Sequence, residues 1–201
     1  MFDDHEGGYE ARTSELEGVK VGSLFYLMGA SGVGKDALMA AARQRLQFDD
    51  SVLFAHRYIT RPAAPEAENH IVLSEQEWRT RQRLGLFSLS WQSHGFRYGI
   101  GIEIDHWLQL GLNVVINGSR EYLAEASRQY DLRPILVSAS ASTLRQRLLN
   151  RGREGGESIE LRLQRAQQYD QLIHPKLMTL HNDAELETAV EQLLLLLTDS
   201  V

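Results

Sequence analysis

The heptapeptide Gly29-Ala30-Ser31-Gly32-Val33-Gly34-Lys35 constrains this chain more than any other segment. It follows a short apolar run, Ser23 to Met28, and precedes Ala37 to Leu46, where Leu38, Ala41, Ala42 and Leu46 recur at helical spacing. Strand, G-x-x-x-x-G-K loop and helix in that order predict a phosphate-binding turn. Glycines let successive backbone N–H groups point inward at phosphate oxygens, and the helix start adds its dipole. Lys35 then reaches the outer phosphates. It is one of only three lysines, with Lys20 and Lys176, beside eighteen arginines, so a lysine at this place by chance is improbable.

Gly29, Ala30, Ser31, Gly32, Val33, Gly34, Lys35 and Asp36 are therefore the expected polyphosphate-binding residues. Asp36 stands where a hydroxyl usually holds Mg²⁺. A carboxylate beside a polyphosphate needs a cation between them, which makes Asp36 the expected Mg²⁺ contact, directly or through water. The alternative is a glycine turn in which Asp36 merely favours the helix start.

Downstream, strand-like and helix-like runs alternate. Val52 to Thr60 reads as a strand and Pro62 to Asn69 as a turn-prone loop. His70 to Ser74 reads as a short strand, Glu75 to Arg83 as a helix and Phe87 to Trp91 as a strand, with a second apolar-aromatic stretch around Tyr98 to Ile102. Asn113 to Asn117 and Pro134 to Ser138 read as buried strands. Arg120 to Tyr130 and Ala141 to Leu149 read as helices, and Met178 to Leu180 and Ala184 to Leu197 as a last strand and helix. Such alternation predicts an α/β fold of P-loop NTPase type, a central mainly parallel sheet flanked by helices, with ligands at the carboxyl ends of its strands. At 201 residues the chain fits one domain over 21–201. A small acceptor-binding subdomain is expected at about 56–102 and a lid at about 151–157.

Charge narrows the partners. Residues 1–20 hold six carboxylates against Arg12 and Lys20, a net −4, which leaves −2 of the chain's −6 to the rest. They read as a mobile acidic leader without a secretory hydrophobic stretch. A near-neutral body without a basic block argues against nucleic acid and against an anionic membrane surface. The absence of cysteine fits a cytoplasmic protein. The longest apolar run, Leu193 to Leu197, is far too short to span a bilayer.

Three groups suit an anionic acceptor. Arg57 and Arg61 flank the turn-prone loop on one side and His70 on the other. Asn117, Gly118, Ser119 and Arg120 end a strand, where such sheets present ligands. Tyr98, in WQSHGFRYG, belongs to the acceptor wall or to the core. Separately, Arg151 and Arg153 sit in RGREGGES between helical patterns, a layout suited to a lid that brings bidentate donors onto a transferring phosphoryl group. The alternative there is a solvated helix face, with Arg145 and Arg147 and their neighbours paired to Glu154, Glu157 and Glu160.

The loop, YITRP, ENHIVLSEQEW, HGFRYG, NVVINGSR and RQRLLNRGRE occur in an order that resembles the guanylate-kinase-like P-loop kinases over residues 22–197. GASGVGKD, HRYITRP, ENHIVLSEQE, LSW, YGIGIEID and VVINGSRE are similar more closely to the ribose 1,5-bisphosphate phosphokinase family, which works in phosphonate utilisation and also tends to carry Asp after the loop lysine. That resemblance implies ATP as phosphoryl donor, Mg²⁺, and a small sugar phosphate as acceptor, giving phosphoribosyl diphosphate. Taken with the residue reading above, Lys35, Arg151 and Arg153 are the expected catalytic residues and Arg57, Arg61, His70, Tyr98, Asn117 and Arg120 the expected acceptor residues, with Arg61 the anionic anchor that the resemblance implies. Against guanylate kinase, Leu89 replaces a base-reading Glu, Asn117 an Asp after the central strand, and His70 a phosphate-contacting Tyr. The other readings are a nucleoside monophosphate kinase and a noncatalytic interaction module of the same fold.

Overall fold

The computed structural model describes residues 21–62, 69–151, 159–168 and 172–198. Among these, five strands form one parallel sheet in the order β2-β7-β1-β8-β9: β2 (Val52–Phe54), β7 (Asn113–Asn117), β1 (Leu24–Gly29), β8 (Leu132–Ser138) and β9 (Met178–His181). Their near-continuous apolar sequences are what burial on both faces demands. Alternate residues of β1 divide between the faces. Phe25 and Leu27 pack with Leu38 and Ala42 of α1 (Lys35–Arg45), Leu144 of α5 (Ala141–Arg151), Leu163 of α6 (Ile159–Gln168) and Val190 and Leu193 of α7 (Leu186–Thr198). Leu24, Tyr26 and Met28 pack with Ile104 and Leu108 of α3 (Glu103–Gln109) and Leu123 and Ala126 of α4 (Leu123–Gln129).

A second, four-stranded sheet runs β4-β3-β6-β5, built from β4 (His70–Val72), β3 (Arg57–Ile59), β6 (Phe96–Gly101) and β5 (Phe87–Ser93). It is mixed, with β3 parallel to β4 and antiparallel to β6, and β5 antiparallel to β6. Helix α2 (Glu75–Arg83) begins at Ser74, whose hydroxyl accepts from Glu77 N, a capping arrangement. Ile59, Leu89, Trp91, Tyr98 and Ile100 of this sheet join the α3–α4 side of the core, so the two sheets share one apolar cluster.

Three readings change. Val52 to Thr60 is not one strand: β2 pairs with β7 in the main sheet, Ala55 N donates to Val115 O, and after His56 the chain enters the second sheet as β3. No Gly or Pro marks that break, because the chain only exchanges one extended partner for another. The helix expected from Arg120 starts at Leu123, after a turn in which Tyr122 N donates to Ser119 O. Helix α3, whose Ile104 and Leu108 face the core, is too short for its periodicity to stand out. The leader at 1–20, loop residues 63–68 and residues 152–158, which take in all of the lid expected at about 151–157 except its first residue, lie outside the described residues.

Candidate active site

The loop after β1 turns into α1 through Gly34, the residue before the first helical turn, at φ 87°. A Cβ there would lie 2.6 Å from Asn182 Nδ2, so both conformation and space require glycine. The loop is held from behind. Val33 O accepts from Asn182 Nδ2 at 2.7 Å and from Arg147 Nη1 at 3.1 Å. Fixing that carbonyl outward leaves the following amides free to face a phosphate. Asn182 is 2% exposed and follows directly on β9.

In front of the loop, four side chains meet. Asn117, buried at the carboxyl end of β7, accepts at Oδ1 from Lys35 Nζ at 2.6 Å and from Arg57 Nη1 at 3.1 Å. Its Nδ2 donates to Asp36 Oδ1 at 3.1 Å, and Lys35 Nζ reaches the same oxygen at 2.9 Å. The amide therefore suits a place where a carboxylate would not. It serves two cations with its oxygen and one anion with its nitrogen, whereas an aspartate would confront Asp36 with a like charge.

The backbone behind Asn117 is fixed by close packing. Gly118 N donates to Leu27 O at 2.8 Å, and a Cβ on Gly118 would sit 2.1 Å from the Tyr26 ring. The buried Tyr26 hydroxyl donates to Ser119 O at 2.7 Å and accepts from Ser119 N at 2.9 Å. Burial, despite the Ser119 hydrogen bond, raises its pKa well above the usual phenol value. Strand β1 thus carries the phosphate loop at its end and, through Tyr26, orients the segment leading to Arg120.

Ionisation follows from this crowding. Burial lowers Lys35 to about 8, with the Asp36 carboxylate opposing and the Arg57 guanidinium reinforcing the shift. Burial would raise Asp36, but the charge and hydrogen bond of Lys35, with help from Arg57 and Asn117, hold it below the ordinary carboxylate range. Burial likewise brings Arg57 down to about 10, opposed mainly by Asp36. His70 is lowered by burial and then by the positive charges of Arg61 and Arg57, so it is neutral near pH 7 in the free protein.

The structure thus gathers Lys35, Asp36, Arg57 and Asn117; the charge of Arg120 acts on Lys35 and that of Arg61 on Arg57, while His70 feels the charges of Arg61, Arg57 and Asp36. Tyr98 is 7% exposed, stacked on Trp91 at 5.5 Å, and its ring lies 5.2 Å below the Arg57 guanidinium. Its ring is a platform for the Arg57 guanidinium. Arg153 lies outside the described residues, and of Arg151 only the backbone, at the end of α5, is described. Arg145 pairs with Glu160 at 2.7 Å on the surface, whereas Arg147 turns inward to the loop. The sequence reading missed Asn182, Tyr26 and the inward role of Arg147. An Asn-Asp pair directly after β9 was the available signal for the first, since Asp183 Oδ1 also accepts from Ser140 N.

Both bonds to Asp36 fall on Oδ1; Oδ2 takes none among the described residues, and the side chain is 44% exposed. One hard oxygen donor beside a phosphate loop fits Mg²⁺, which keeps waters and shares phosphate oxygens with one or two carboxylates. Among the described residues no group of three or more His, Cys, Asp or Glu side chains is placed to hold a metal unaided. Nor is any described helix long and apolar enough to cross a membrane.

The chain resembles in fold a guanylate kinase from Anaplasma phagocytophilum, with a TM-score of 0.58 at 12% identity over 89% of this chain and 85% of that one. No family model matches. Among curated proteins it is 53% identical over 182 residues to ribose 1,5-bisphosphate phosphokinase PhnN of Thiobacillus denitrificans, covering 89% of this chain and 94% of that one. The proteins of the same name from Psychromonas ingrahamii and Yersinia pestis are 50% and 52% identical over 177 residues, covering 88% and 87% of this chain and 90% and 91% of theirs. Half of all positions shared across nearly the full length of each partner leaves no room for a different fold or lineage, and the chain belongs to the ribose 1,5-bisphosphate phosphokinase PhnN family.

Proposed function

We propose that this chain transfers the terminal phosphoryl group of ATP to the anomeric phosphate of ribose 1,5-bisphosphate, yielding ADP and 5-phosphoribosyl 1-diphosphate in phosphonate catabolism. The name and similarity of its relatives support the acceptor. The observation that carries the reading is the Asn117 amide joining Lys35 on the donor side to Arg57 on the acceptor side. An oxygen of the 1-phosphate attacks the γ-phosphorus, an O–P bond forms, and the bond from that phosphorus to the ADP oxygen breaks. The attacking oxygen is already anionic, so no general base is required, and the protein's work is alignment and charge stabilisation.

In this reading the Val33-clamped loop and Lys35 hold the donor phosphates. Arg57, Arg61, Asn117 and Arg120 bind the acceptor, with the second sheet as its platform. His70 contributes as a neutral donor, and Arg151 and Arg153 close over the transferring group. Asp36 Oδ2 would hold Mg²⁺, which when bound neutralises charge on the phosphates. The cytoplasm, where ATP is abundant, is the compartment the reading implies.

A coupled assay for phosphoribosyl diphosphate from ATP and ribose 1,5-bisphosphate tests it, with the Lys35→Ala variant as control. Preferential turnover of GMP or AMP over the bisphosphate would replace it with a nucleoside monophosphate kinase.

A further inference from the structure

One face of α1 forms the wall of a pocket of about 220 Å³, because Asp36, Met39, Ala40 and Arg43 stand at i, i+3, i+4 and i+7. Asp36 and Asn117 are its inner end, at the junction already described. Its middle is small and apolar, with Met39 and Ala40 facing Phe54 and Ala55 from the end of β2. Arg43 and Asn69 form the outer end, joined by Arg43 Nη1 donating to Asn69 Oδ1 at 2.9 Å.

That outer end is built for an anion. Among the described residues Arg43 has no carboxylate partner, while Arg45, two positions on, is paired with Glu187. Because Asn69 turns its oxygen to Arg43, its Nδ2 is presented elsewhere. That nitrogen is buried and finds no acceptor among the described residues. A phosphate oxygen would satisfy it while lying against the guanidinium. Arg43 is seven residues from Asp36, about 10 Å along the helix axis. A ligand filling the pocket therefore places one anion at the transfer junction and a second a sugar's length away. The volume is below that of drug-sized sites, which suits a pentose phosphate arm better than a purine nucleotide.

We infer that Arg43 and Asn69 seat the acceptor's second phosphate, the one not phosphorylated, and so select a bisphosphate over a monophosphate sugar. This rests on the acceptor reading above and deepens it. The apolar middle takes the C–H face of the ring, and the pair at the far end acts as a ruler for the distance between the two phosphates.

The test compares kcat/KM for ribose 1,5-bisphosphate with that for ribose 1-phosphate, in the wild-type chain and in Arg43→Gln and Asn69→Asp. Wild type should prefer the bisphosphate, and Arg43→Gln should reduce that preference about 10- to 100-fold, the range of a charge-assisted contact. Asn69→Asp keeps and strengthens the tie to Arg43 but sets a carboxylate against the phosphate, so the preference should fall at least as far. If Asn69 merely tethers Arg43, Asn69→Asp leaves the preference intact, and that result overturns the inference. Equal use of both acceptors by wild type also overturns it while sparing the proposed function; no turnover of either overturns the proposed function itself. Arg43 is solvent-exposed on α1, so loss of fold is not expected, and thermal melts of both variants verify it.

Discussion

The two halves of the site are made in opposite ways. The proposed donor half is one contiguous stretch, Gly29 to Asp36, which would work mainly through backbone amides. The proposed acceptor half is assembled from β3, β4, β7 and the segment after β7, and would work through side chains that lie 60 residues apart in the chain, as Arg57 and Asn117 do. A backbone cradle can be specified by glycine spacing alone. A side-chain cluster needs the whole fold to bring its members together, and its specificity can be rewritten one residue at a time.

The sharpest way to break this contrast is at Lys35, where the halves touch. Lys35→Ala should reduce phosphoryl transfer about a thousandfold or more, since it removes the charge aimed at the transferring group. The fold should survive, because a buried ammonium whose pKa burial has lowered is no asset to stability. Activity by the coupled assay and a thermal melt read the two effects. Full activity in that variant would place the chemistry elsewhere.

Asn117→Asp should strike next hardest, and on the acceptor half. The new carboxylate would face Asp36 across a contact that is 3.1 Å in the native amide, and it would repel an incoming phosphate. We expect kcat/KM for the acceptor to fall about 10- to 100-fold, the size of a lost charge-assisted contact. The melting temperature should drop as well. Variation of acceptor at saturating ATP measures the first. Unchanged acceptor kinetics would show that Asn117 organises only the free protein.

Legibility in the sequence divides along the same line. The strand-loop-helix unit at 23–46 was readable because its signal is local, and NVVIN and PILVS stood out because buried parallel strands are apolar throughout. The exchange of sheets between Phe54 and Arg57 was not, since extended backbone looks alike whichever strand it joins. Asn182 was missed for a related reason. Its partner, Val33 O, is 149 residues away and is a main-chain atom, so the Asn-Asp pair after β9 marks a polar turn without saying what it holds. Tyr98 had two readings, acceptor wall or core, and its stacking on Trp91 and its support of Arg57 supply the packing one.

A smaller effect sharpens the donor half. The Lys35 pKa of about 8 lies below the lysine value of 10.5 in an open chain. Between those values the unfolded chain holds a proton that the folded chain has shed, so the stability cost of burying this charge is complete below about pH 8 and fades as pH rises. Binding of a polyphosphate needs the charged form. Above about pH 8, kcat/KM for ATP should therefore fall roughly tenfold per pH unit, with proton uptake on ATP binding visible by calorimetry in two buffers. Asn117→Asp should move this limb upward, because another carboxylate favours the ammonium. A flat profile to pH 9.5 would mean that Lys35 stays charged in the free protein.

The least effect is expected where a charged pair is far from both halves. Arg145 and Glu160 lie 2.7 Å apart across α5 and α6, with half or more of each side chain in solvent. Such pairs gain little, because water screens the attraction and two long side chains lose freedom to make it. Arg145→Ala should change stability by within about 0.5 kcal/mol and leave both kinetic constants in place. Its neighbour two positions on behaves differently in principle: Arg147 spends its guanidinium on the Val33 carbonyl, so Arg147→Ala loosens the cradle and raises KM for ATP. Two arginines separated by one residue on one helix thus separate surface charge from loop support. If Arg145→Ala weakened ATP binding as much as Arg147→Ala, the division drawn between them would be wrong, and the whole outer face of α5 would belong to the donor half.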